Sequence, residues 1–154
     1  MEYIESHEGE GGSGGCVFCS LLEHGDPDGD RILHRGDQAF VTLAKYPYNP
    51  GHLLVLPVRH TGDLEDLTAE EGGEIHALLQ GSVRALREAS APDGFNVGLN
   101  LGRVAGAGIP GHLHWHVVPR WGGDTNFMPV VGETRVLPQL LSETYERLRP
   151  HFAA

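Results

Sequence analysis

Three histidines alternate with apolar residues in His112-Leu113-His114-Trp115-His116-Val117-Val118. Alternation at period two is the mark of a half-buried strand. On a strand, residues i, i+2 and i+4 share a face, with roughly 6.6 Å between neighbours. His112, His114 and His116 are therefore expected to project together, with Leu113, Trp115 and Val117 facing the other way. A row of imidazoles offers nucleophiles, general acids or metal ligands, and every ring nitrogen needs a partner. A glycine-rich run, Gly102 to Gly111, leads into the row. Backbone amides there could cradle an anion, because glycine lets the chain approach closely.

The second cluster is Cys16 and Cys19, spaced C-x-x-C. A thioredoxin-like redox motif would follow a strand, whereas Gly11-Gly12-Ser13-Gly14-Gly15 precedes this one. Zinc is the better reading, and histidines must then supply the remaining two of four ligands.

The elements that must position these groups follow from pattern. The 154 residues fit one domain, 16–154, behind an acidic, glycine-rich tail, 1–15, expected to be flexible. A short helix is expected over Val17–His24. Strands are expected at Arg31–His34, Ala39–Leu43, His52–Pro57 and Phe95–Asn100, the third nearly all apolar and so central. Thr68-Ala69-Glu70-Glu71 is a capping box that opens a long helix, with Ile75, Leu78, Leu79, Val83 and Leu86 on its apolar face. Leu137, Leu140, Leu141, Tyr145 and Leu148 mark a C-terminal helix, with Pro138 in its first turn. Short turns between strands favour an α+β class: an antiparallel sheet of about five strands, with the long helix and the C-terminal helix packed on one side.

The formal charge of −10 argues against nucleic-acid polymers and anionic membranes as partners. The sequence shows neither a signal peptide nor a membrane-length apolar run, so a cytoplasmic location is expected.

The histidine row followed by two apolar residues resembles the signature of the histidine triad (HIT) superfamily. Pro50-Gly51-His52-Leu53-Leu54-Val55-Leu56-Pro57 resembles that family's second landmark, and the resemblance spans about Cys16 to Val131. Pro119-Arg120-Trp121-Gly122-Gly123-Asp124-Thr125-Asn126-Phe127-Met128-Pro129-Val130 looks like the branch of bacterial diadenosine polyphosphate phosphorylases and hydrolases. The resemblance implies a HIT-like fold, a homodimer, and hydrolysis or transfer of a nucleoside phosphate through a nucleotidyl-histidine. It makes His114 the nucleophile, places His116 at the phosphoryl oxygens or leaving group, and has His52 hold that network. It offers Asn100 and the loop glycines Gly108 and Gly111 to the nucleotide substrate. It also completes a structural zinc site from Cys16, Cys19, His60 and His112, with no organic cofactor.

Two positions depart from the pattern. The family often has Asn or Asp eight residues before His52, to bind the ribose hydroxyls. Here Ala44 stands there, beside Lys45, the neighbouring candidate for substrate contact. Ile109-Pro110 stands where a polar leaving-group contact is common, leaving His116, Asn126 and Arg120 as candidates. Ala44 keeps two alternatives open: a HIT enzyme with a non-standard substrate, and a non-catalytic nucleotide-binding module.

Overall fold

The computed structural model describes residues 15–125 and 140–153. Apart from Gly15, the tail expected over 1–15 lies outside the described residues, as do Asn126, Leu137 and Pro138. Helix α1 spans Val17–His24, and the strands are β1 (Ile32–Arg35), β2 (Ala39–Leu43) and β3 (Leu53–Pro57). They are followed by α2 (Ala69–Ser90), β4 (Gly94–Leu99), β5 (Trp115–Arg120) and α3 (Leu141–Leu148). The strands form one five-stranded sheet in the order β1-β2-β3-β5-β4, with every neighbouring pair antiparallel. Among the described residues no helix is long and apolar enough to cross a membrane.

Every residue of β2 and β3 is buried, which requires cover on both sheet faces. One face carries Val41, Leu43, Leu53, Val55 and Val117, packed with Ile75 and Leu86 of α2 and Leu148 of α3. The other carries Phe40, Leu54 and Leu56, packed with Phe18, Cys19 and Leu21 of α1. The expectation of helices on one side alone is thus corrected. Helices α2 and α3 take one face, and α1 covers the other, because β2 and β3 are apolar on both faces apart from the buried Thr42. Strand register places Leu54 opposite Thr42 on one side and His116 on the other, with Gly98 beyond His116. His116 therefore lies on the α1 face.

The capping box of α2 forms as the sequence indicates. Thr68 Oγ1 accepts from the Glu71 amide, and Glu71 accepts from the Thr68 amide at 2.9 Å. The buried Glu71 carboxylate also takes a two-pronged bond from Arg59, at 2.8 and 2.9 Å. That guanidinium, aided by the Thr68 amide, lowers the Glu71 carboxyl to about 2. A carboxylate favoured by folding contributes stability above its unfolded pKa and loses it as pH falls through the folded one. Glu71→Gln keeps the cap but removes the charge. It is expected to lower the midpoint of thermal unfolding by roughly 3 °C at pH 7. The gap to wild type should close between about pH 4.5 and 2. A gap unchanged at pH 2.5 would contradict this assignment.

Candidate active site and metal centre

The three histidines do not form one continuous strand face. Strand β5 begins only at Trp115. His112, Leu113 and His114 precede it, and all three are buried. This corrects the simple alternation, and the reason lies in a neighbouring segment. The Leu113 amide donates to the Thr61 carbonyl at 2.7 Å. A Cβ on Gly62 would sit 2.5 Å from the Pro110 carbonyl oxygen, so only glycine permits this approach. Residues 60–62 are thereby laid against 110–113, and the His112 ring turns away from the strand face toward the cysteines.

There it meets a compact donor set. The ligand atoms of Cys16, Cys19, His60 and His112 all lie within 4.8 Å of one another. The Cys16 and Cys19 sulfurs stand 3.4 and 3.6 Å from His112 Nδ1, and Cys19 Sγ is 3.5 Å from His60 Nδ1. A tetrahedron with metal–sulfur bonds of about 2.3 Å and metal–nitrogen bonds of about 2.0 Å has sulfur–nitrogen edges of about 3.5 Å. His112 Nε2–H donates to the Pro57 carbonyl at 2.9 Å. That bond fixes the proton on Nε2 and leaves the Nδ1 lone pair aimed into the cluster, the usual outer support of a metal-bound imidazole. The residues present therefore fit a closed, tetrahedral metal centre. Burial, reinforced by Cys16, pushes the Cys19 thiol up to about 11, and burial pulls His112 down to about 4.

His114 and His116 form a separate group with His52. His114 Nδ1–H donates to the His112 carbonyl at 2.8 Å, which leaves Nε2 unprotonated and available. The Phe18 ring packs on both His112 and His114, at centroid distances of 5.6 and 5.2 Å. Burial holds His114 below its ordinary value, so the ring is neutral near pH 7. The His114 and His116 rings meet edge to face at 5.2 Å.

A chain of bonds fixes the tautomers of the other two rings. An amide N–H can only donate, and the Tyr48 amide donates to His52 Nδ1 at 3.1 Å. Neutral His52 thus carries its proton on Nε2, which donates to His116 Nδ1 at 2.9 Å. His116 must then carry its own proton on Nε2. Burial, with His114 nearby, lowers His116 to about 4, so it acts as a neutral donor. The site presents one imidazole lone pair and, on the adjacent ring, one N–H. Such a pair can attack an electrophilic phosphorus and bind its oxygens. Gly51, at φ 87° and with Leu86 only 3.0 Å from a built Cβ, lets the chain enter β3 at His52. Across from His116, Gly98 leaves open space.

The remaining candidates sit in varied settings. Asn100 closes the glycine-rich loop through the Gly106 carbonyl at 3.5 Å. Gly108 is exposed in that loop. Gly111 borders the His60 ring, 3.7 Å from a built Cβ to Nε2, and so adjoins the metal centre. Lys45 is exposed and paired with Asp28 at 3.2 Å. Arg120 is engaged by Asp124 and Asn96. Ala44 is buried among Phe40 and Leu54, its amide bonded to the His52 carbonyl at 3.0 Å. Sequence reasoning missed Gly62, Gly98, Phe18 and Tyr48. Only the glycines carried a signal, as unexplained small residues beside motif positions.

The chain is similar to known proteins in sequence and in fold. The HIT domain matches residues 28–123. A protein of Mycobacterium tuberculosis called AP-4-A phosphorylase is 46% identical over 136 residues, 88% of this chain and 69% of that protein. An adenosine 5'-monophosphoramidase of Schizosaccharomyces pombe is 30% identical over 68% of this chain and 74% of its own length. The crystal structure of a Zn-bound histidine triad family protein from Mycobacterium smegmatis superposes with a TM-score of 0.73 at 31% identity. It covers 92% of this chain and 95% of that one.

Proposed function

The chain belongs to the HIT domain family, and from that premise we propose an enzyme that splits an adenosine polyphosphate through a nucleotidyl intermediate on His114. The observation that carries this reading is the pair of fixed tautomers: the His114 Nε2 lone pair beside the His116 Nε2–H. Nε2 of His114 forms a bond to the α-phosphorus while the phosphoanhydride P–O bond breaks. The electron pair of that bond leaves with the released nucleotide. His116 Nε2–H stabilises the phosphoryl oxygens, and His52 keeps that proton where it is needed. Attack by water or inorganic phosphate then breaks the N–P bond and restores His114. The relative named AP-4-A phosphorylase supports a diadenosine polyphosphate as the substrate and phosphate as the acceptor. Asn100 and the Gly108 and Gly111 backbone are offered to the substrate phosphates, and Lys45 to its outer end.

The metal is zinc, held by Cys16, Cys19, His60 and His112. The donor set and spacing support it, as does the Zn-bound neighbour. Bound there, zinc would tie α1 to the 60–62 and 110–113 segments and keep His112 out of the phosphate chemistry. The protein is further read as a cytoplasmic homodimer paired along the edge strand β4, which buries none of its residues. A monomer by sedimentation would overturn the pairing.

The test is incubation with diadenosine tetraphosphate, ADP, adenosine phosphoramidate and adenylyl-lysine, with and without inorganic phosphate. ATP plus ADP formed only with phosphate is the expected result. ATP plus AMP in its absence would make water the acceptor, and no turnover of any of the four would overturn the reading. Ala44→Asn forms a second arm. An added ribose hydrogen bond should lower KM for adenosine substrates by roughly five- to tenfold, and an unchanged KM would place ribose recognition elsewhere.

A further inference from the structure

His116 takes its tautomer from His52, and His52 takes its own from the Tyr48 amide. What holds that amide in place is a separate question. Tyr48 lies in the turn before β3, beyond the reach of strand pairing, since β3 meets β5 only from Leu53–Val117 to Val55–Trp115. The next residue, Asn49, ties the turn down. Its Nδ2 donates to the Pro119 carbonyl at 2.9 Å and to Asp124 Oδ2 at 2.8 Å. Its own carbonyl accepts from the His52 amide at 3.1 Å.

Asp124 is itself fixed. Arg120 grips it through Nε at 2.6 Å and Nη2 at 2.9 Å, and the Trp121 amide adds a bond at 3.2 Å. The Arg120 guanidinium holds the Asp124 carboxyl well below the usual carboxylate range, so the acceptor stays charged. Asn49 is neutral and its amide donates to two separate oxygens, which define a single side-chain orientation. The Tyr48 ring completes the arrangement, stacked on His52 at 4.8 Å and on His116 at 5.9 Å.

We propose that Asn49 and Asp124 are positioning residues for the reaction: they latch the 46–51 turn to the end of β5, and through Tyr48 and His52 they hold the His116 proton on Nε2. The inference rests on the role assigned to His116 above. Neither Asn49 nor Asp124 is placed at the reacting atoms. Without the latch the Tyr48 amide can leave His52 Nδ1, both tautomers of the histidine pair become accessible, and the N–H aimed at the substrate is lost part of the time.

The test uses the full chain with Asn49→Ala, Asp124→Ala and Asp124→Asn. The first readout is the imidazole nitrogen resonances of labelled protein without substrate, assigned with His52→Ala and His116→Ala. Wild type should show one neutral tautomer at His116, with Nδ1 bare and Nε2 protonated. Both alanine variants should show a tautomer mixture at His52 and His116. The second readout is kinetics on diadenosine tetraphosphate. A misplaced proton donor should lower kcat by roughly 10- to 100-fold, with KM within about threefold of wild type. Asp124→Asn keeps an oxygen for Asn49 and should stay within about threefold of wild-type kcat. Added to His116→Ala, Asn49→Ala should cost nothing further, because both act on the same proton.

A plain structural staple gives a different pattern. Asn49→Ala would lower stability, keep single tautomers, and multiply with His116→Ala. That result overturns the proposal, as does full kcat in Asn49→Ala. If Asn49→Ala fails to fold, Asp124→Ala decides by the same readouts. If no substrate is turned over, the functional reading fails by itself, while the resonances of the free protein still test the latch.

Discussion

His114→Ala is expected to reduce kcat by about four orders of magnitude or more while leaving the fold in place. The size follows from the role. Removing a nucleophile removes the covalent step, and what remains is binding plus the donor at His116. His116→Ala should cost less, about 10²- to 10³-fold, since it deletes one hydrogen-bond donor at the phosphoryl group. The fold should survive because the His114 ring has modest structural ties: a bond to the His112 carbonyl and contact with Phe18. Their loss is expected to cost about 1–3 kcal/mol. Single-turnover rates, circular dichroism and intact mass of the quenched enzyme check the claim together. Wild type quenched during turnover should carry the mass of a nucleoside monophosphate, and His114→Ala should carry none. Retention of more than a few per cent of kcat in a folded His114→Ala protein would sink the assignment.

The sequence carried the local features well. Thr68 and Glu71 signal a capping box within four residues, and they form one. The unbroken apolar run of β3 marked a central strand, which it is. What stayed hidden depends on contacts between distant segments. Alternation could not reveal that the strand begins at Trp115, because the departure of His112 is imposed by Gly62 and Thr61 some fifty residues earlier in the chain. C-x-x-C gave half a metal centre. The other half needed His60 and His112 side by side, which the resemblance supplied and periodicity could not. His52 and His116 share one proton across the β3–β5 pair, a relation that register creates and neither motif contains alone. Asn49 and Asp124 gave no signal, for a turn asparagine and a loop aspartate are commonplace.

Metal removal carries the second large effect. Purified protein is expected to hold about one zinc per chain. Stripping it, or replacing Cys16 or Cys19 with serine, should lower the unfolding midpoint by roughly 10 °C, equivalent to about 3–5 kcal/mol. The effect is exerted through α1. That helix has only eight residues, too few to be stable alone. It nevertheless covers Phe40, Leu54 and Leu56 and supplies Phe18, which packs on His112 and His114. Four metal bonds would anchor its first turn to segments 60–62 and 110–113. Without them, two thiols and a neutral His112 face one another with weak bonds. The loss should then reach the proposed nucleophile, because the His112 backbone carbonyl that orients His114 belongs to the residue whose ring would hold the metal. Elemental analysis, thermal unfolding with and without chelator, and the visible bands of a cobalt-substituted sample provide readouts independent of turnover. Intense tetrahedral thiolate bands in the cobalt protein, lost in Cys16→Ser, would locate the ion. A metal-free preparation with the same unfolding midpoint as the zinc-loaded one would leave α1 held by packing alone and remove the structural role.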